Sequence, residues 1–305
     1  MARFLARRAV VALLVAITVS VLSFALLRLS GDLAAQLAGE GATDAQIRAT
    51  AHLYGLDAPF YLQYLHWLGG ALHGNLGKSL FTGQPVADII ARALPVTARL
   101  AFFSLILIVV LAIPLGVLAA TRRNSWIDRL ALSFAAFGQA IPSFWFALIL
   151  MLVFGVWLKW TPVSGQASWQ SYILPTITVA LASLPAPMRL TRSGMLDVLR
   201  SDYVRMARAK GLPVRVVLFK HALRNALLPV VSVLMVTFGY VLGGTVVVET
   251  VFALDGLGFE VFRAIQQADF PVVQTIVAFV SVVYIVLTLA SDLINARLDP
   301  RIALG

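Results

Sequence analysis

The side chains that could do chemistry are few, and their spacing argues against it. His52, His66 and His73 fall in one stretch, and imidazoles at fixed offsets beside a carboxylate or thiolate can hold a metal ion. The chain has no cysteine, Gly69-Gly70 breaks helical spacing between His66 and His73, and no acidic residue stands at a fixed offset. No metal site is expected. Gly77-Lys78-Ser79 has the ending of a phosphate-cradling loop, but the glycine required five positions before Gly77 is Leu72. That pattern is rejected. His221 stands alone and is read as interacting locally, and no nucleophile–base pair can be argued from spacing. The chain is therefore expected to hold no catalytic, cofactor-binding or metal residue and not to be an enzyme.

A different pattern stands at Asp202–Gly211. Asp202 can cap a short helix over Tyr203–Lys210. Lys210 falls in its last turn, where a cation suits the helix dipole. Gly211 follows at the position that favours a left-handed turn, and Leu212-Pro213 restarts the chain. Tyr203, Val204 and Ala207 share a face, while Arg205 and Arg208 project elsewhere. A basic loop needs no role beyond topology. A short loop would satisfy topology, however, and a sharply stopped helix suggests a protein contact. Gly239 and Gly243 form a Gly-x-x-x-Gly pair for close helix packing, within the chain or between subunits.

The elements that must carry these residues are membrane spans. Of 305 residues 60% are hydrophobic and 12% charged, about half the charged fraction of soluble domains. Six long stretches lack Asp, Glu, Lys, Arg and His: Ala9–Leu27, Leu100–Ala120, Leu130–Leu158, Tyr172–Met188, Ala226–Val248 and Phe270–Ser291. A helix needs roughly 20 residues to cross ~30 Å of hydrocarbon. The fourth is shorter, holds Pro175, Pro185 and Pro187, and is extended to about Thr191. The first follows Arg3, Arg7 and Arg8 and reads as an anchor rather than a cleaved signal, being longer than a signal core.

Charge sets the orientation. Seventeen of the 24 Lys/Arg fall on one side of the alternating segments, nine of them in Arg189–Arg224. By the positive-inside rule both termini are cytoplasmic, so the net charge of +10 reflects loop bias rather than nucleic-acid binding. The expected division is a cytoplasmic tail 1–8, a first span 9–29, an external segment 30–98, a five-helix core 99–295 with an inner loop 191–228, and a cytoplasmic tail 296–305. In the external segment, Thr43-Asp44-Ala45-Gln46 is a capping-box pattern opening a helix to about Tyr54. Asp57-Ala58-Pro59 opens a second, ended by Gly69-Gly70, with Tyr61, Tyr64, Leu65 and Leu68 on one stripe. It is either a packed cap or a docking surface. The spans carry no charge, so no proton relay is visible, and anything moved would draw its energy from another subunit.

The inner loop also carries a resemblance. Asp202-Tyr203-Val204-Arg205-Met206-Ala207-Arg208-Ala209-Lys210-Gly211, followed by His221-Ala222-Leu223-Arg224-Asn225-Ala226-Leu227-Leu228-Pro229, resembles the permease signature of bacterial ABC importers, closest to the dipeptide/oligopeptide/nickel branch. Gly74–Ser79, Ile141–Trp145, Leu190–Ser193, Gly243–Phe252, Gly256–Gly258, Asp269–Gln274 and Leu298–Ile302 are similar to the family in the same order. The broader signature has Glu-Ala-Ala where this chain has Arg205-Met206-Ala207, and Asp255 stands where the branch commonly has proline.

The resemblance implies an all-α integral membrane protein with six transmembrane helices, in the type I ABC importer permease fold. It implies a multi-pass protein of the bacterial inner membrane. The partners would be a second, similar permease, two cytoplasmic ATPase subunits that bind ATP and magnesium, and an external substrate-binding protein. The chain itself would need no cofactor. Asp202, Tyr203, Val204, Ala207, Lys210 and Gly211 would form the ATPase-coupling helix, with Tyr203, Ala207 and Gly211 in contact. The implied cargo is a di- or oligopeptide, with nickel as the alternative. A stand-alone channel or carrier is the rival of another class.

Overall fold

Proline decides where the apolar runs bend. A computed structural model of the chain describes residues 2–29, 33–39 and 41–298. Of the expected cytoplasmic tail 296–305, residues 296–298 belong to the last helix; 299–305, with all but the first residue of the motif Leu298–Ile302, lie outside the described residues. Helix α1 spans Ala2–Leu29, so the expected tail 1–8 already belongs to the first helix from residue 2. Three short helices follow: α2 Leu33–Ala38, α3 Asp44–Leu53 and α4 Phe60–Leu72. The capping box at α3 is formed: Thr43 Oγ1 accepts from Gln46 N, and Gln46 Oε1 accepts from Thr43 N at 2.8 Å. Helix α4 runs through Gly69-Gly70 rather than ending there, because α-helical hydrogen bonding tolerates glycine at modest cost.

Helix α5 covers Val86–Thr121, including Pro95 and Pro114. Its outer third was expected to be external loop. Asp88, Arg92 and Pro95 disguise it, but Val86, Ile89, Ile90 and Ala93 recur at helical spacing and are buried. Helix α6 covers Trp126–Ala140, and α7 covers Ser143–Leu150 with a π-helical extension Met151–Trp157. The expected single span Leu130–Leu158 is thus two pieces meeting at 100°. Pro142 explains the break: it forces Ile141 out of the helical region, to φ −87° and ψ 128°.

Helix α8 is Ile173–Ser183 and α9 is Pro185–Leu199; with the turn before α8 they form one span bent by 49°. Pro185 and Pro187 supply no N–H to the carbonyls four residues back, which permits the bend. The span therefore runs well past Met188. Helix α10 is Asp202–Ala209. A segment of α11 (Val214–Val216), a π-helical stretch and α12 (Arg224–Ala226) then leads at 54° into α13, Leu228–Gly244. Helices α14 (Val246–Phe252), α15 (Leu257–Gln266) and α16 (Phe270–Leu298) complete the fold. Among the described residues three helices are long and apolar enough to cross a membrane alone, and three bent pairs, each counted as one span, bring the total to six.

The packing centres on α5, which lies along α8 and α9, while α13 lies on α16. Helix α1 rests on α16, with Arg8 Nη1 3.2 Å from Asp292 Oδ2. It also meets α4, where Phe24 is buried against the rings of Phe60 and Tyr64 at 5.2 and 5.5 Å. Tyr64 hydroxyl and Ser20 Oγ are 2.7 Å apart. Tyr61 and Leu65 of the expected stripe point away and stay exposed.

Candidate functional site

Helix α10 is bounded much as its residues dictate, with one shift of register. Ser201 occupies the N-cap, and Asp202 is the first helical residue. An acid there still favours the positive end of the helix dipole. Its carboxylate is exposed and 3.3 Å from Arg205, an i,i+3 pair worth little in water. Lys210 is the C-cap, and Gly211 has φ +72°, a conformation that disfavours any residue with a Cβ. The Gly211 N–H reaches the carbonyl of Arg208 at 2.9 Å and that of Leu212 reaches Ala207, closing the end.

The two faces of α10 have separate uses. Val204 and Ala207 are buried in a small cluster with Val217, against Val198 and Leu199. Ala207, expected to make an outward contact, instead faces this chain. Tyr203 and Met206, 42% and 61% exposed, stand on the free side with Arg205, Arg208 and Lys210. Tyr203 is held by its hydroxyl, which accepts from Asn225 Nδ2 at 2.7 Å and donates to the His221 carbonyl at 3.4 Å. So α10 is clamped to the end of α9 and to the stretch that leads into α13, by apolar contact on one side and a tyrosine on the other. Sequence spacing identified Tyr203 but gave no sign of Asn225, 22 positions away.

Three further joints fix what α10 hangs from. Arg192 on α9 grips Asp128 on α6 bidentately, at 2.7 and 2.8 Å. Gly116 of α5 meets α9 so closely that a Cβ there would lie 2.7 Å from Thr191 Cβ. Gly239 and Gly243 of α13 lie against Tyr284 and Val280 of α16, so the glycine pair packs within this chain. At the other end of the molecule, Glu249 is wholly buried. Its Oε1 accepts from Thr97 and Thr245 hydroxyls, each at 2.8 Å, and its Oε2 accepts from Phe259 N at 3.1 Å. Thr97 in turn accepts from Leu257 N at 2.8 Å. One carboxylate thereby joins α5, α14 and the N-terminus of α15. Gly256 and Gly258 pack so tightly on Glu249 and Val246 that neither has room for a side chain.

The segment Gly77-Lys78-Ser79 is structural. Lys78 pairs with Pro85 as a β-bridge, Ser79 Oγ donates to Asp269, and Leu80 N donates to Asp269 Oδ1 at 3.1 Å. Nearby, burial pushes the Glu260 carboxyl above its usual range; Arg263 and Arg92 oppose this and Asp255 adds to it. His73 Nδ1 lies 2.8 Å from the Gly69 carbonyl, a local contact. Among the described residues no group of three His, Cys, Asp or Glu is placed to hold a metal ion.

Comparison with known proteins places this geometry. Residues 112–304 match the family model "binding-protein-dependent transport system inner membrane component", and residues 1–101 match the model of its N-terminal region. A probable peptide ABC transporter permease of Sinorhizobium fredii is 38% identical over 98% of both chains. The glutathione transport system permease GsiC of Escherichia coli is 40% identical over 93% of both. In structure, the chain is similar to the MetNI methionine ABC transporter in inward-facing form: TM-score 0.59 and 18% identity, covering 69% of this chain and 96% of that one.

Proposed function

The chain belongs to the family of binding-protein-dependent transport system inner membrane components, and from that premise we propose that it carries di- or oligopeptides inward. It is a multi-pass inner-membrane permease of the ABC importer type. The peptide cargo is supported by the relatives from S. fredii and E. coli, whose names refer to peptide and glutathione.

The observation that carries the mechanism is α10. It is a stopped, two-faced helix with its apolar side in the chain and Tyr203, Met206 and Lys210 exposed. In our reading the free side seats on a cytoplasmic ATPase subunit. Val204 and Ala207 transmit its position, and Gly211 lets the chain turn back. ATP and magnesium belong to two such ATPase chains, and this chain hydrolyses nothing. A second, similar permease completes the pathway, and a binding protein delivers cargo from outside. Both termini then face the cytoplasm. Closure of the ATPase pair would push the α10 helices of the two permeases together and rock the spans.

The test is mass spectrometry of what co-purifies with this chain in mild detergent, joined to uptake of labelled peptides. A second permease with an ATPase, and uptake abolished when that ATPase is made catalytically dead, is the expected result. Uptake that persists with a dead ATPase would point to a stand-alone carrier.

A further inference from the structure

A groove of about 450 Å³ lies at the bend between α8 and α9, walled also by α6, α13 and α16. Its polar lining includes Gln139, Ser183, Arg189, Thr237, Tyr240 and Tyr284. Arg189 is the unusual member. It stands ten residues before the end of α9, about 15 Å up the helix at 1.5 Å per residue. Arg192, nearer that end, is satisfied by Asp128. The Arg189 guanidinium instead donates only to the neutral Gln139 Oε1, at 3.1 Å, and among the described residues it forms no ion pair. Arg189 is exposed at the inner end of its span, as the first residue of the basic segment 189–224, and stands there open to an anion.

The surroundings suit one kind of anion. A guanidinium matches a carboxylate bidentately. Pro187 has no N–H for the carbonyl of Ser183, four residues back, at the edge of the groove. Tyr240 and Tyr284 stand exposed on the other wall, and tyrosine offers an apolar body with a polar tip. Small-molecule pockets run from about 300 to 1,000 Å³, so the space suits a short peptide. We propose that this groove is a peptide subsite on the translocation pathway, with Arg189 receiving the peptide carboxylate. The inference rests on the peptide-import reading above.

The experiment uses the complete transporter in proteoliposomes, with binding protein and ATPase, and labelled trialanine and glutathione as probes. Arg189→Gln should lower uptake on the order of tenfold, the loss of one charge-assisted contact. Assembly and stimulation of ATP hydrolysis by loaded binding protein should remain, and Arg189→Lys, which keeps the charge but not the bidentate fork, should restore only part of the uptake. Tyr240→p-benzoylphenylalanine should photo-crosslink to labelled peptide during turnover, and lose that product when combined with Arg189→Gln. Unchanged uptake by Arg189→Gln overturns the subsite. So does crosslinking to lipid or to the second permease alone while uptake proceeds. If the unaltered complex imports neither probe, the peptide reading fails, and the subsite with it.

Discussion

Replacing Glu249 by alanine would strand two threonine hydroxyls and the Phe259 N–H in a buried space. Unsatisfied buried donors cost about 1–3 kcal/mol each, and the hydroxyls can turn to other acceptors. Glu249→Ala is therefore expected to cost about 3 kcal/mol, and Glu249→Gln less, because an amide keeps one acceptor. Thermal unfolding of the detergent-solubilised protein measures both. Glu260 gives a prediction in pH. Its carboxyl holds its proton more tightly in the folded state, because burial disfavours the charge. Its contribution is thus fully present below the unfolded carboxyl pKa and is lost as pH rises through the higher folded one. Glu260→Gln should flatten that part of the stability–pH curve, and an unchanged curve would count against the burial effect. Neither carboxylate was legible as a joint in the sequence. Glu249 sits at the edge of an apolar run, and its partner Thr97 is 152 positions away.

Local elements could be read where their determinants are local. The capping box at Thr43, the extent of α10 and the left-handed turn at Gly211 all depend on residues within one helical turn, and the structure forms each. Where distant packing decides, the reading failed. Helix α5 begins at Val86 because its outer turns lie on α15 and α16. The apolar run through Ile141-Pro142 gave no sign of a right-angled break, since hydropathy is blind to the steric effect of proline on the residue before it. At this scale α10 is testable. Gly211→Pro would demand φ near −65° where the chain has +72°, and would remove the N–H that closes the helix. Ala207→Phe would overfill the cluster around Val217, at a cost of about 1–3 kcal/mol. Each should abolish co-purification of the ATPase while membrane insertion, scored by alkaline extraction, is retained. Retained ATPase with normal uptake would remove α10 from the contact.

For the whole molecule, the absence of cysteine makes orientation directly measurable. Single replacements Lys78→Cys and Lys210→Cys should react differently with a membrane-impermeant maleimide on intact cells. The first should label at once and the second only after permeabilisation; the reverse would invert the proposed topology. Six spans and their alternating basic segments were legible because the bilayer imposes length and charge on any chain that crosses it. How the spans lean on one another was not, since faces toward lipid and toward protein have similar composition. Helix α5 sets that arrangement. At 36 residues it is about 54 Å long, against ~30 Å of hydrocarbon. Its outer turns hold α15 and α16, and Gly116 near its inner end is wedged against α9, the helix that delivers α10. In mechanical terms α5 is a lever shared by the two surfaces: a tilt of its outer end reaches the inner one except for what bending at Pro95 and Pro114 absorbs.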